Sequence, residues 1–451
     1  MPGDGAEARA GAGAMNFARN ASSTALTQVA RTFFGLGLAI LLARWLSEAD
    51  RGIYAVVATA AMFGDQVSQL GMRYAVIYRM SLPGASRARA VGAAFAWTLV
   101  TFALLAGLAL VFRDPLRARF LLGAEPVFLW LALALAAADL FTGLVDAVAR
   151  GIDRFDLRNA DQISIAAVTL LATWLALVVF EWGLLGTLAA TAVARGAVLL
   201  LFSALTLRRS GIDLTPDAHE LGESLSFGVR GHPQTLLAWL HQRVDVMLMA
   251  LFAVDPAQIA VYAVAVNVID RLRVVPDSVS SALLPKLATL GPAEMGTYAA
   301  RITRHLIFWV CLSGLALGLL APFLVPLLFG RPYAASVLPL YVLLPATVML
   351  SVRGMVGSYF IAAGRPGFNA WVQAGSVAVN VAANLWAIPR HGIVGAAFAS
   401  LLSYSVEAIA TVLVFRRVTG CGLGEIVLAR RADLRPYLGR MRRLRERLGG
   451  A

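Results

Sequence analysis

Apolar stretches long enough to cross a lipid bilayer recur along the whole chain. A helix needs about 20 mainly apolar residues to cross the hydrocarbon core, and about twelve such stretches fit into the 451 residues. Only 14% of the residues are charged, against about 25% in soluble globular proteins. The sequence therefore predicts an all-α polytopic membrane protein and excludes a soluble enzyme, a disordered chain and a disulfide scaffold.

The predicted spans leave room only for loops and tails. They are residues 26–46, 53–71, 90–112, 126–148, 159–180, 183–206, 225–252, 258–284, 303–325, 335–361, 368–388 and 392–415. Arginines concentrate in alternate loops, and basic residues favour the cytoplasmic side of a membrane. This asymmetry predicts a multi-pass protein with twelve spans and both termini in the cytoplasm.

Three weak internal matches share an offset of about 210 residues. Tyr54-Ala55-Val56 recurs as Tyr262-Ala263-Val264, and the two other matches relate the Gly151 and Gly183 regions to Gly364 and Gly392. We infer two six-helix halves around a central cavity, the parallel type of transporter repeat. The predicted divisions are a disordered cytoplasmic N-terminus (1–22), an N-terminal half (23–210), a cytoplasmic linker (211–222), a C-terminal half (223–418) and a basic cytoplasmic tail (419–451).

Charged residues inside the predicted spans point to a wet cavity, because a charge in the bilayer is costly unless it faces water or a partner. Most of them are arginines, whose guanidinium groups match phosphate oxygens. The predicted substrate-binding residues of this cationic cavity are Arg271, Arg243, Arg230, Arg273, Arg31 and Arg353. Arg31, Arg230 and Arg273 lie near helix ends, where they could instead reach the lipid headgroups.

Three acidic residues in the spans have either a coupling or a structural role: Asp245, Asp65 and Asp270. Their spacing does not choose between Na⁺ and H⁺ as a coupling ion. The five histidines show no metal-ligand spacing, and no Gly-rich phosphate loop is followed by Lys and Ser or Thr. We therefore expect a transporter with no catalytic residues, no bound metal and no organic cofactor.

Several motifs resemble the flippases of the multidrug/oligosaccharidyl-lipid/polysaccharide (MOP) exporter superfamily, in particular the O-antigen and exopolysaccharide flippases. The first-loop pattern, Ala43-Arg44-Trp45-Leu46 through Asp50-Arg51-Gly52-Ile53-Tyr54, is similar to that family's Arg-x-Leu-Gly-x-x-x-x-Gly-x-Tyr signature, with Ser47 where glycine is usual. Leu70-Gly71-Met72 resembles its next segment, and Leu328-Phe329-Gly330 with Tyr333 resembles its loop after the ninth helix.

Asp270-Arg271-Leu272, followed by Pro276, is similar to the corresponding helix of the lipid II flippases. In that helix the arginine belongs to a cationic cavity, and the resemblance implies this role for Arg271 alone. About twelve predicted helices match the polysaccharide flippases, whereas lipid II flippases usually have fourteen. This difference argues against a role in peptidoglycan synthesis.

The resemblance implies translocation of an isoprenyl-pyrophosphate-linked oligosaccharide across the bacterial cytoplasmic (inner) membrane for surface polysaccharide synthesis. Membrane lipids and polysaccharide polymerase or assembly proteins would then be its partners, and nucleic acid would not. Two alternatives stay open: a cation-coupled multidrug exporter of the same superfamily, and a non-transporting scaffold of a polysaccharide assembly complex. A drug exporter's cavity should be acidic or aromatic, whereas the seventh and eighth predicted helices are rich in arginine.

Overall fold

The protein is built entirely from helices over the part of the chain that the computed structural model describes. Those residues are 4–82, 84, 86–121, 123–210, 214–215 and 217–428, with side chains left out for 4–22, 209–210 and 292–293. Fourteen α-helices and no strand lie within these residues. The fold class predicted from the apolar stretches is confirmed.

Most of the helices are long. Their bounds are α1 (Asp4–Trp45), α2 (Glu48–Ser68), α3 (Met72–Ser81), α4 (Arg87–Val111), α5 (Arg113–Phe120), α6 (Pro126–Gly151), α7 (Phe155–Trp174), α8 (Gly183–Ser210), α9 (Ala218–Leu251), α10 (Pro256–Ala288), α11 (Pro292–Phe329), α12 (Val337–Ala362), α13 (Pro366–Thr419) and α14 (Leu423–Val427). A π-helical turn, Leu175–Val179, extends α7, and a 3₁₀ turn, Arg331–Ser336, precedes α12.

Each of the twelve predicted spans coincides with one long helical segment of the structure. The last two lie in α13, whose backbone is non-helical at Gly392 (φ 54°), so this element bends there between two spans. By length and hydropathy, eight of the described helical segments could cross a membrane. Helices α2, α9 and α10 are not among them, because polar residues interrupt their apolar sequence although they have 21, 34 and 33 residues.

The structure describes most of the predicted N-terminal segment and of the predicted linker, and part of the predicted tail. The predicted disordered segment 1–22 is helical from Asp4 onward, consistent with the high helix propensity of its many alanines. The predicted linker 211–222 contains the start of α9 at Ala218. The predicted basic tail, 419–451, lies outside the described residues from position 429 onward. The division into two halves stays a prediction.

Hydrogen bonds from side chains explain where several helices begin. At the start of α9, Asp217 Oδ1 accepts from the backbone N–H groups of His219 and Glu220, at 2.9 and 3.0 Å. The Glu220 amide thereby holds the pKa of Asp217 below its ordinary value. At the start of α2, Ser47 Oγ accepts from the Asp50 amide at 3.1 Å, so both helices begin at a side chain that satisfies a free amide.

The helices form two compact units. Unit 1 contains residues 1–267, 325–336 and 384–396, and unit 2 contains residues 268–324, 337–383 and 397–451. Small residues such as Ala75, Ala94 and Ala147 fill part of the unit 1 core, where α3, α4 and α6 meet. The core of unit 2 is more aromatic and includes Phe360 and Phe415, which are nearly inaccessible to solvent.

Glycine brings helices unusually close at one contact within unit 1. A Cβ atom on Gly52 of α2 would lie 1.8 Å from the backbone oxygen of Pro256, the first residue of α10. Only a residue without a side chain fits this approach. The glycine of the first-loop motif therefore fixes the distance between α2 and α10.

Candidate transport site

The first-loop motif lies against the motif that follows α11, and both belong to unit 1. Arg44 Nε donates to the backbone oxygen of Leu328 at 3.1 Å. The guanidinium carbon of Arg51 lies 4.8 Å from the ring centre of Tyr333 and 5.7 Å from that of Phe329. Arg51 is only 3% exposed, so this cation–π contact holds the segment after α11 in place and is not open to a ligand.

Asp65 of α2, a predicted coupling or structural acid, is ion-paired in the interior of unit 1. Its carboxylate binds Arg73 of α3, which also donates to the backbone oxygen of Asp139 at 3.1 Å. Arg195 of α8 binds the side chain of Asp139 at 2.9 Å. These contacts link α2, α3, α6 and α8, as expected if Asp65 has a structural role.

Asp245 of α9 is 5% exposed and accepts a hydrogen bond from the hydroxyl of Tyr262 on α10. Its Oδ1 also accepts from the backbone N–H of Val246 at 2.8 Å. Tyr262 belongs to the Tyr-Ala-Val repeat seen in the sequence. The contact gives Asp245 a partner on a neighbouring helix within unit 1.

Arg230 lies at an open groove between α3 and α9, with a volume of about 540 Å³. Tyr78 and Phe227 stack in this groove with ring centres 4.4 Å apart. Arg79 is neutralised there by Glu220 and Glu223, at 2.6 Å each, and the hydrogen bond to Glu220 raises the pKa of Arg79. Arg230 is exposed and donates to the uncharged Ser226 at 3.3 Å.

The other predicted arginines of unit 1 lie on different helices. Arg243 is half-buried on α9, thirteen residues after Arg230 along the same helix. Arg31 lies on α1, and the charged groups acting on it are Arg158, Asp146 and Asp161 of α6 and α7. Arg31 and Arg230 thus have different neighbours inside unit 1.

Unit 2 contains Arg271, Arg273 and Arg353, and carboxylates accompany two of them. Arg273 Nη1 lies 3.4 Å from Asp270, one turn earlier on α10. Arg353 Nε of α12 lies 2.7 Å from Glu407 of α13, whose side chain is 1% exposed. Arg271 directly follows Asp270 on α10 and is half-buried. Arg273 and Arg353 are therefore ion-paired within unit 2.

A row of amide and hydroxyl side chains on α13 was not predicted from the sequence. Asn380 Nδ2 donates to Ser403 Oγ at 2.9 Å, and Ser376 Oγ donates to the backbone oxygen of Ser403 at 2.7 Å. Asn369 and Gln373 precede them along the same helix and are buried as well. Residues 369, 373, 376 and 380 are spaced so that they lie on one helical face. This helical spacing of polar residues within an apolar segment is the sequence pattern that could have identified them.

A second unpredicted group contains Asp146 of α6 and Asp161 of α7, which are 7% and 2% exposed. Asp146 binds Arg150 at 2.5 Å and Arg158 at 2.9 Å. The signal was a pair of acids inside apolar spans on either side of a short turn. Among the described residues, no group of three His, Cys, Asp or Glu side chains is placed to hold a metal ion.

Solved structures of MOP-superfamily transporters share this arrangement of helices. The lipid II flippase MurJ, in an inward closed conformation, superposes with a TM-score of 0.71 at 12% identity, over 87% of this chain and 90% of that one. A multidrug resistance transporter of the MATE family, in an inward-facing conformation, gives 0.64 at 17% identity, over 88% and 98%. A MOP transporter from Pyrococcus furiosus gives 0.55 at 14% identity, over 90% and 96%.

The helices and these similarities define the class: a polytopic membrane protein with the MOP transporter fold. The chain belongs to the polysaccharide biosynthesis protein family, whose model matches residues 41–338, more than half of its length. No curated protein sequence matches the chain. The family resemblance inferred from the motifs is confirmed, because the chain belongs to a polysaccharide biosynthesis family and has the fold of MOP transporters.

Proposed function

We propose that the protein is a flippase for an isoprenyl-pyrophosphate-linked oligosaccharide in surface polysaccharide synthesis. It would move this lipid from the cytoplasmic to the periplasmic leaflet of the bacterial inner membrane, with both of its own termini in the cytoplasm. The observation that carries the proposal is membership of the polysaccharide biosynthesis family over residues 41–338. The fold shared with a lipid II flippase supports it.

The chemistry of the substrate suits the arginines in the helical segments. A pyrophosphate presents several anionic oxygens, which guanidinium groups bind with two parallel hydrogen bonds. Arg271 is the proposed principal ligand, and Arg230 and Arg243 are further candidates. Arg273 and Arg353 are already paired with Asp270 and Glu407, so a phosphate would have to compete with these carboxylates.

The proposed mechanism is alternating access. The headgroup would be sheltered among polar side chains while the isoprenyl chain stays in the lipid. Polysaccharide polymerase and assembly proteins are the partners expected to use the product on the far side.

Reconstitution in liposomes tests the proposal directly. A fluorescent isoprenyl-pyrophosphate oligosaccharide would be placed in both leaflets, and its outer-leaflet fraction would be measured with a membrane-impermeant quencher. We expect the protein to accelerate exchange between the leaflets over protein-free vesicles. A non-transporting scaffold should leave the exchange rate unchanged, and this result would refute the flippase.

Gene deletion in the host provides a second test. We expect loss of surface polymer together with accumulation of complete lipid-linked repeat units on the cytoplasmic leaflet. Normal polymer without accumulation, in a strain with no other flippase for the same polymer, would contradict the proposal. Restoration by the wild-type gene is the control.

A cation-coupled drug exporter is the second candidate, favoured by the structural similarity to a multidrug resistance MATE transporter. Such a protein should lower the accumulation of cationic dyes in cells and leave lipid-linked sugars unaffected. The arginines of α9 and α10 are poorly suited to cationic substrates, because like charges repel. Dye accumulation in the deletion strain therefore separates the two candidates.

A further inference from the structure

Two buried carboxyl groups lie where α6 ends and α7 begins. Asp146 lies five residues before the end of α6, and Asp161 lies in the second turn of α7. Their exposures are 7% and 2%. We refer to them as the α6–α7 acid pair.

The two members of the α6–α7 acid pair differ sharply in their partners. Asp146 is bound by Arg150 at 2.5 Å and by Arg158 at 2.9 Å, so its negative charge is compensated. Asp161 has no hydrogen-bond partner for either carboxylate oxygen among the described residues. A buried carboxyl group in this situation is strongly disfavoured in its charged form.

The charged groups around Asp161 come from three helices. Asp146 faces it from α6 and Arg31 from α1, with opposite effects on its charge. Arg158 on α7 itself is engaged by Asp146. Helix α8 also packs on α7, but its Arg195 is bound to Asp139 at 2.9 Å and its Arg208 is exposed.

These surroundings favour an uncharged Asp161 in this conformation. The nearby Asp146 carboxylate opposes a second negative charge, as expected when two carboxyl groups share a site. Arg31 is the one described cation near Asp161 that is not in an ion pair within 4.0 Å of a carboxylate oxygen. A closer approach of Arg31, or entry of water, would reverse the preference.

We infer that Asp161 is a proton-binding site, and that the protein takes up and releases one proton there during its transport cycle. In the uncharged state the carboxyl group holds the proton; on release, the O–H bond breaks, the proton passes to water and the carboxylate remains. No electron is transferred. This inference deepens the proposed transport function, on which it rests, by identifying the coupling ion as H⁺.

Proton binding can be measured without any substrate. Infrared difference spectra of the purified full-length protein, recorded between neutral and alkaline pH, report the carbonyl stretch of a protonated carboxyl group. We expect this band in the wild type and its loss in Asp161→Asn. The matched control is Asp156→Asn on the same helix, because Asp156 is 59% exposed and paired with Arg154 at 2.6 Å.

An unchanged band in Asp161→Asn would overturn the inference, and so would its absence from the wild type. Thermal stability provides a check on folding. Asp161→Asn should retain the wild-type Tm, because an amide resembles the protonated acid in size and charge. Asp146→Asn should lower the Tm, because Arg150 and Arg158 lose their carboxylate; the opposite ranking would mean that Asp161 is the charged member.

Transport under an imposed pH gradient completes the test. In liposomes that carry the labelled lipid-linked oligosaccharide, we expect a pH gradient to accelerate lipid movement by the wild type and by Asp156→Asn. The rate of lipid movement by Asp161→Asn should not depend on the gradient. Protonation of Asp161 without any lipid movement would refute the proposed substrate and leave the proton site standing. Lipid movement that ignores the gradient, in a protein without the band, would refute the proton site and leave the flippase standing.

Discussion

Arg271 is the residue on which the proposed recognition of a phosphate depends most. It follows Asp270 on α10 and precedes Arg273, which Asp270 approaches at 3.4 Å. The sequence singled it out because a charge in an apolar stretch needs a functional or structural reason. Substitution of Arg271 tests whether its side chain contacts the headgroup.

We expect Arg271→Ala to abolish complementation of a deletion strain while the protein remains folded and inserted. Each hydrogen bond to a charged group contributes about 1.5–3 kcal/mol, so loss of a bidentate contact should stop transport. Arg271→Lys should keep part of the function if charge alone matters, and none if both guanidinium donors are needed. Full activity of Arg271→Ala would remove it from the site, and Arg331→Ala, at an exposed arginine, is the control.

The pair of Arg353 and Glu407 should be structural, because Glu407 is 1% exposed and lies 2.7 Å from Arg353. Arg353→Ala leaves a buried carboxylate without this cation, and breaking such a pair costs about 3–5 kcal/mol. We expect a clear fall in Tm, measured on the purified protein. The double variant Arg353→Ala with Glu407→Gln should recover part of the loss, and simple additivity of the two changes would contradict the pairing.

At the scale of helices, one glycine sets the contact between α2 and α10. The alanine Cβ in Gly52→Ala would lie 1.8 Å from the Pro256 oxygen, so the helices must separate. Overpacking of this kind costs about 1–3 kcal/mol, and we expect a lower Tm. Gly107→Ala on α4 is the matched control. Among the described residues, a Cβ at position 107 would have no atom within 4 Å apart from those of its own helix.

The control should behave in the opposite sense. Replacement of a helical glycine by alanine in open space stabilises a helix by roughly 0.5–1 kcal/mol. Equal effects of Gly52→Ala and Gly107→Ala would show that the α2–α10 approach does not limit stability. The comparison separates close packing from helix propensity.

At the scale of the whole molecule, twelve spans predict that consecutive loops lie on opposite sides of the membrane. Arg331 and Arg365 are exposed at the two ends of the segment containing α12. After replacement of the native Cys311 and Cys421, we expect a membrane-impermeant thiol reagent added to spheroplasts to label Arg331→Cys and not Arg365→Cys. Labelling of both without permeabilisation, or the reverse pattern, would contradict cytoplasmic termini.

The sequence alone determined the helices and the superfamily resemblance. Span length and apolar content are local properties, so residues such as those of 126–148 identified α6 without knowledge of its neighbours. The motif around Arg51 and Gly52 was also recognisable. Its structural purpose was not, since Tyr333 and Pro256 are distant in sequence.

Only the tertiary structure decided which charges are compensated. Arg353 and Glu407 are 54 positions apart, and Asp65 reaches Arg73 only because the chain turns back after α2. The sequence favoured a cationic site because arginines outnumber acids, yet it did not single out Asp146 or Asp161. Ion pairs between helices depend on how the helices pack, and helical periodicity within one segment carries no information about that packing.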